Sequence, residues 1–137
     1  MLFRSLSELV RPRPNANVVA FLEREAELWI SAITLHELSF GAEHTKDARR
    51  KAQLIAWIEG IRAQYAGRIL PVEEGQAMAG GRLRALSIIF GRGDDPIDSL
   101  IAAAAVSEGL IVVTRNTQDF VDFGIEVINP WNSQGEK

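Results

Sequence analysis

The chain of 137 residues is predicted to be an α/β protein with a mainly parallel sheet. Amphipathic helical segments alternate along it with short, continuous apolar runs, a pattern typical of helices packed on both sides of a parallel sheet. Its length is close to the commonest size of one domain, so we expect residues 1–137 to form a single domain. With 47% hydrophobic and 24% charged residues, its composition is that of an ordinary globular protein.

The first half predicts three helices and one strand. Residues 17–25 keep apolar side chains at helical spacing, and residues 28–30 form a brief apolar run of strand type. Ser31 has the character of an N-cap for the next helix, which carries Glu37. Residues 47–65 repeat apolar positions among charged ones, which indicates a long amphipathic helix.

The second half predicts strands and helices in alternation. A short strand at 69–72 precedes a helix that passes through Met78 and Leu83 to about residue 89. After the Gly-rich loop at 91–93, a helix begins at Pro96 and ends before Gly109. Residues 110–113 read as a buried parallel strand, and residues 125–128 as the last strand.

Composition excludes several classes of protein. The absence of cysteine rules out disulfides and thiolate zinc sites. Because no apolar run approaches the roughly 18–20 residues of a membrane span and the N-terminus lacks a signal-peptide pattern, we expect a cytoplasmic protein without membrane contact. Residues 46–92 contain nine basic and four acidic residues, whereas residues 93–137 contain two basic and eight acidic ones. Such an asymmetry suits a protein that holds a polyanion beside a bound cation, although solvated helix faces give the same pattern.

Three acidic positions are candidates for a metal site. Asp98 falls in the first turn of a helix that starts with Asp95 and Pro96, where it either complements the helix dipole or faces a site at the carboxyl edge of the sheet. Glu37 lies among apolar residues of its helix, where it is either an ordinary surface glutamate or a partly buried carboxylate that favours a nearby cation. Asp119 follows the polar loop after the strand at 110–113, which is a site position in parallel sheets, although loops are polar in general. Clustered carboxylates are what a hard divalent cation needs.

With these residues assembled, the chain resembles the PIN-domain family, specifically the VapC-type toxins of bacterial toxin–antitoxin pairs. The resemblance covers most of the chain and rests on four pieces in order: Ser7-Glu8-Leu9-Val10-Arg11-Pro12-Arg13-Pro14-Asn15, Trp29-Ile30-Ser31-Ala32-Ile33-Thr34-Leu35-His36-Glu37-Leu38, Asp95-Pro96-Ile97-Asp98-Ser99-Leu100-Ile101-Ala102-Ala103, and Val113-Thr114-Arg115-Asn116 with Asp119-Phe120. The closing Ile128-Asn129-Pro130-Trp131 also fits.

The resemblance implies a three-layer α/β/α fold and a Mg²⁺- or Mn²⁺-dependent endoribonuclease. By position, Glu37, Asp98 and Asp119 are then the metal ligands and catalytic acids, with Thr114 and Asn116 as polar support around the metal. The resemblance also implies an RNA substrate, a cognate antitoxin protein and a homodimer. Lys46 to Lys51, together with Arg82 and Arg84, supply positive charge for RNA phosphates.

One part of the family's pattern is not found. The missing part is the family's first aspartate, which precedes the segment that begins here at Ser7. Counting back from Ser7 places this aspartate at about Leu2, but residues 1–7 contain no acid. We therefore expect the first strand to be absent or altered, with Met1 to Leu6 as a poor substitute. We expect one of three situations: a truncated chain, a degenerate toxin that binds antitoxin or RNA without cleaving, or an active enzyme with a remodelled site. A phospho-acceptor domain is disfavoured because no lysine falls in the strand-end loops.

Overall fold

The structure is a computed structural model that describes residues 1–3, 15–24, 27–121 and 123–131. Its helices are α1 (Ala16–Arg24), α2 (Ala32–Glu43), α3 (Ala48–Gln64), α4 (Glu74–Ile89), α5 (Pro96–Glu108) and α6 (Gln118–Val121). Its strands are β1 (Leu2–Phe3), β2 (Ile30–Ser31), β3 (Ile69–Leu70), β4 (Val112–Val113) and β5 (Val127–Ile128). Within these ranges no helix combines the length and the apolar character that a bilayer span needs.

All strand pairs in the described part of the chain are parallel. β4 lies between β1 and β5, with Leu2 opposite Val112. β2 pairs with β3, and a parallel bridge between Leu2 and Trp29 connects this pair to β1. The resulting order β3-β2-β1-β4-β5 is that of a doubly wound sheet, with β1 in its centre.

Helices cover both faces of the sheet because the strand side chains alternate between two apolar clusters. Val112 belongs to a cluster with Ile101 of α5 and Phe120 of α6. Its neighbour Val113 belongs to a second cluster with Val18 of α1, Phe21 of α1 and Ile61 of α3. This is the predicted three-layer α/β/α architecture, and it leaves the ends of the strands as the places where polar side chains gather.

The predicted cap of α2 is confirmed, because the hydroxyl of Ser31 accepts the N–H of Ile33 at 3.1 Å. In addition, Asp47 caps α3 by accepting the N–H of Arg49 at 2.9 Å. α5 ends at Gly109, whose φ of 64° is left-handed and therefore favours glycine.

Of the two alternatives for the N-terminal strand, the structure has the altered one, within the segment Met1 to Leu6 that was expected as a poor substitute: Leu2–Phe3 forms a short β1, stabilised by hydrogen bonds from Leu2 N–H to Ile111 O at 2.7 Å and from Trp29 N–H to Met1 O at 2.8 Å. One expectation needs correction. The segment before Asp119 is not all loop, because residues 118–121 form the four-residue helix α6. Neither element is long enough to show a periodicity in the sequence.

Candidate active site

Of the three acidic residues predicted as a metal site, Asp98 lies in the first turn of α5. Asp95 is the N-cap, and its carboxylate accepts the N–H groups of Ile97 at 3.0 Å and Asp98 at 3.1 Å. Pro96 occupies the first helical position, where its missing N–H has no consequence. The carboxylate of Asp95 therefore caps the helix. Asp98 is the third residue of α5, and its carboxylate has other surroundings, described next.

Asp98 is nearly buried, with 8% of its surface exposed, and it lines a cavity of about 140 Å³. The cavity is formed by the end of α4, the loop that follows it, the start of α5 and the region of α6. The lining residues are Ser87, Arg92, Gly93, Asp94, Asp95, Asp98, Ser99, Gln118 and Phe123. The cavity is thus polar and strongly acidic, with Arg92 as the cationic residue among its described lining.

The third carboxylate of this cavity, Asp94, is held by Arg84 of α4. Arg84 Nη2 donates to Asp94 Oδ2 at 3.1 Å, and Arg84 Nε donates to Asp94 Oδ1. The hydrogen bond from Arg84 lowers the pKa of the Asp94 carboxyl below its ordinary value. Arg84, a predicted RNA-phosphate contact, is instead part of an intramolecular ion pair that ties the loop to α4.

The backbone of Asp119 lies in α6, next to Gln118, which lines the Asp98 cavity. The side chain of Asp119 lies outside the described part of the structure. α6 packs against α5, so the backbone brings the two predicted acidic positions to the same end of the sheet.

Glu37 occupies the middle of α2 and does not line the Asp98 cavity. Its side chain is half-buried, and its Oε1 atom is shielded from solvent. One turn earlier on the same helix, the hydroxyl of Thr34 is buried and makes no hydrogen bond within the described residues. α2 contacts α5, which places these oxygens on a helix that neighbours the one carrying Asp98.

Thr114 and Asn116 follow β4. Thr114 is buried, with 1% of its surface exposed, and its hydroxyl accepts the N–H of Asn116 at 3.1 Å. Its own N–H donates to Ile128 O at 3.0 Å, which extends the β4–β5 pairing by one residue. Neither residue lines the cavity, so their described contacts stabilise the turn after the strand.

The donors of this region are oxygen atoms, which suit a hard divalent cation such as Mg²⁺ or Mn²⁺. Asp98 is the best-placed described carboxylate, because it is nearly buried and faces a polar cavity. Across the described side chains, no three His, Asp or Glu residues are grouped tightly enough to hold a metal ion. The predicted ligand set of Glu37, Asp98 and Asp119 therefore stays a prediction.

Reasoning from the sequence missed several lining residues, among them Ser87, Arg92 and Gln118. They come from separate elements and share no motif, so only the packing of α4 and α6 beside α5 brings them together. Leu2, where counting back placed the family's first aspartate, is 1% exposed and belongs to an apolar cluster. The structure thus has a core side chain at that position. The segment 7–14, including Glu8, lies outside the described residues.

The described structure is a parallel α/β/α fold with carboxylates at one end of the sheet, and comparison with known proteins identifies the family to which it belongs. The sequence matches the PIN domain family over residues 5–125. The chain belongs to the PIN domain family.

Two curated relatives are similar along nearly their whole length. Toxin FitB of Neisseria gonorrhoeae is 35% identical over 130 residues, covering 93% of this chain and 94% of the relative. VapC ribonuclease Y4jK of Sinorhizobium fredii is 33% identical over 129 residues, covering 92% of each.

Solved structures share the fold. The crystal structure of FitAcB from Neisseria gonorrhoeae superposes with a TM-score of 0.87 at 34% identity, over 96% of this chain and 99% of that one. A toxin–antitoxin complex from Klebsiella pneumoniae gives a TM-score of 0.67 at 25% identity, over 94% of this chain and 96% of that one. The family predicted from the sequence is therefore confirmed.

Proposed function

We propose that this protein is a metal-dependent endoribonuclease that acts as the toxin of a toxin–antitoxin pair. The observation that carries the proposal is Asp98, a nearly buried carboxylate that lines a polar cavity at the first turn of α5. The membership of the PIN domain family supports the same function, as do relatives that are named as a toxin and as a ribonuclease.

In this proposal Asp98 and Asp119 hold Mg²⁺ or Mn²⁺, with Glu37 as the third acid. A cation held by these residues would supply Lewis-acid chemistry, namely activation of water and neutralisation of charge on the phosphate. Asp95 and Pro96 fix the first turn of α5 and so orient Asp98, while Thr114 and Asn116 support the turn after β4. The surrounding protein partly excludes water, which strengthens electrostatic interactions in the cavity.

The partners of the proposed toxin are a cognate antitoxin, an RNA substrate and a second copy of the chain. The toxin–antitoxin complex from Klebsiella pneumoniae supports the antitoxin, because its fold is shared along nearly the whole chain. A cytoplasmic location follows from this role, since cellular RNA is the proposed substrate. The predicted single domain over residues 1–137 belongs to the same proposal.

A second candidate function is a PIN-type module that binds antitoxin or RNA without cleavage. The observation that favours it is the N-terminal region, where residues 1–7 contain no acid and Leu2 is a core side chain. Loss of one carboxylate weakens the binding of a hard cation, because affinity depends on the number of charged ligands.

One experiment separates the two functions. Purified protein is incubated with an RNA containing single-stranded regions, with and without Mn²⁺, and compared with its Asp98→Asn variant. We expect metal-dependent cleavage by the parent chain and at least a hundredfold slower cleavage by Asp98→Asn, the magnitude of a lost metal ligand or electrostatic group. A folded parent chain that binds RNA but never cleaves it establishes the binding module instead.

A further inference from the structure

The strands β4 and β5 separate at the edge of the sheet that leads to Asp119. They stay paired up to the hydrogen bond from Thr114 N–H to Ile128 O at 3.0 Å. Beyond this point one segment continues through the turn 115–117 into α6, whose backbone includes Asp119, and the other continues as residues 129–131. The turn that leads to Asp119 therefore begins where the pairing of the strands ends.

A contact between two side chains joins the segments after they have separated. The guanidinium carbon of Arg115 lies over the ring of Trp131, 5.8 Å from its centre, within the range of a cation–π interaction. A guanidinium that stacks on a ring by its face keeps the N–H donors at its edge for other partners. The contact with Trp131 is therefore compatible with any further hydrogen bond that Arg115 makes.

Trp131 is fixed by its own contacts. Its N–H donates to Asn129 Oδ1 at 2.9 Å, and its carbonyl oxygen accepts a hydrogen bond from Asn17 Nδ2 of α1 at 2.9 Å. The preceding Pro130 is fully buried, and Trp131 packs against the second apolar cluster, which includes Phe21. Trp131 is thus tied to α1 and to the core, so that it gives Arg115 a firm support.

The turn 115–117 is a segment that profits from such a support. Its residues Arg115 and Asn116 are exposed, and the N–H of Asn116 donates to the hydroxyl of Thr114 at 3.1 Å, only two residues away. Segments with exposed backbone and local hydrogen bonds open more easily than the core. A contact with the fixed Trp131 therefore narrows the range of positions that the turn adopts. The backbone after the turn, which carries Asp119, is restricted with it.

We infer that Trp131 is a positioning residue of the proposed metal site. Through Arg115 it holds the turn 115–117 in the conformation that carries Asp119 to the same end of the sheet as Asp98. The inference rests on the proposed function, in which neither Trp131 nor Arg115 touches the metal ion or the substrate. Removal of either side chain therefore weakens metal binding without removing a ligand.

The first part of the test is the affinity for Mn²⁺, measured by electron paramagnetic resonance of the free ion. Only the binding that Asp98→Asn removes is assigned to the site. Trp131→Leu keeps an apolar side chain but removes the aromatic face, and Arg115→Gln removes the cation. We expect each variant to weaken Mn²⁺ binding about tenfold, the effect of losing a residue that supports a metal ligand. The double variant should lose no more than either single variant, because the contact is already broken.

The second part of the test is amide hydrogen exchange of the metal-free protein, followed by NMR. In Trp131→Leu we expect faster exchange of the Asn116 amide and of the Phe120 amide, which donates to Thr117 O at 3.1 Å. The amide of Tyr65, at the end of α3, should exchange as in the parent chain, since Tyr65 belongs to the same apolar cluster but not to the turn. A change confined to the turn distinguishes positioning from a general loss of stability.

Three further variants serve as matched controls. Trp131→Phe keeps an aromatic face and removes a buried indole N–H that has no hydrogen-bond acceptor among the described residues, so we expect it to bind Mn²⁺ like the parent chain. Trp57→Leu removes another ring that packs against the same cluster, and Arg24→Gln removes a cation that lies 5.4 Å from the centre of the Phe21 ring. Both should leave Mn²⁺ affinity and the exchange of the turn unchanged. Equal losses in these two variants overturn the inference, because they indicate an effect of any lost ring or cation.

The remaining outcomes are distinguishable. If the parent chain binds Mn²⁺ and cleaves RNA, but Trp131→Leu changes neither Mn²⁺ affinity nor the exchange of the turn, the inference is wrong and the proposed function stands. If Trp131→Leu speeds exchange of the Tyr65 amide as much as that of Asn116, Trp131 acts on global stability and the inference is wrong. If the folded parent chain binds no Mn²⁺ at the Asp98 site, the metal site and the inference fail together.

Discussion

Three aspartates in five residues have three different environments in this protein. Asp94 is paired with Arg84, Asp95 caps α5 through two backbone N–H groups, and Asp98 lines the cavity. The sequence predicted the capping role of Asp95, because the helix start is a local pattern. It could not predict the ion pair, because that depends on where α4 packs against α5.

The pKa of Asp94 tests the environment of this single residue. Arg84 stabilises the charged carboxylate, so Arg84→Gln is expected to raise the pKa of Asp94 towards its ordinary value. Since the folded pKa is lowered, the ion pair contributes above the unfolded pKa and is lost as the pH falls through the folded pKa. A carboxyl ¹³C NMR titration measures the shift. Arg82→Gln serves as the control, and an Asp94 titration that is identical in the parent and in Arg84→Gln would contradict the assignment.

Leu2 provides the second test of a single residue. Because Leu2 is buried in an apolar cluster, Leu2→Asp places a carboxylate where neither water nor a charged partner is expected. Leu2→Ala should cost roughly 2–5 kcal/mol of unfolding free energy, and Leu2→Asp should cost more. Urea unfolding followed by circular dichroism measures both. A Leu2→Asp variant that is as stable as the parent and binds Mn²⁺ more tightly would show that this position is a ligand position.

Some helices could be predicted from local sequence patterns, whereas the short strand β1 depends on residues far away in the sequence. The longer helices were predicted within a few residues because a cap such as Ser31 and the spacing of apolar residues are local features of the sequence. β1 is two residues long, and its hydrogen bonds come from residues 29 and 111, far away in the sequence. A strand of this kind cannot be recognised without its partners.

Two adjacent glycines of α4 test how closely the helices pack. A Cβ on Gly80 would lie 2.9 Å from Leu100 Cδ2 of α5, whereas a Cβ on Gly81 would meet nothing within 4 Å. Gly81→Ala should therefore stabilise the protein by up to about 1 kcal/mol, the difference in helix propensity. Gly80→Ala should gain less, because Leu100 must move, and Gly80→Leu should destabilise by about 1–3 kcal/mol. Thermal unfolding of the three variants checks the order, which would be wrong if Gly80→Leu were as stable as Gly81→Ala.

At the scale of the whole molecule, the two apolar clusters explain why the fold could be predicted and the site only in part. Alternating side chains on short strands bury both faces of the sheet, and that pattern is visible in the sequence. The cavity instead collects residues from α4, α5, α6 and the loops beside them. Asp98 was predicted as a site residue because it belongs to a sequence motif. Only the folded structure shows that Arg92 lines the same cavity. Glu37 does not line the cavity, so its role as a metal ligand stays a proposal.

The central claim is that Asp98 makes this chain a metal-dependent ribonuclease, and the most direct measurement is the rate of RNA cleavage as a function of Mn²⁺ concentration. The parent chain is compared with Asp98→Asn and with Glu108→Gln, which changes an exposed acid at the other end of α5. We expect saturable, Mn²⁺-dependent cleavage by the parent and by Glu108→Gln, and a rate at least a hundredfold lower for Asp98→Asn. Cleavage by folded Asp98→Asn at the parent's rate, or with the parent's dependence on Mn²⁺, would contradict the claim.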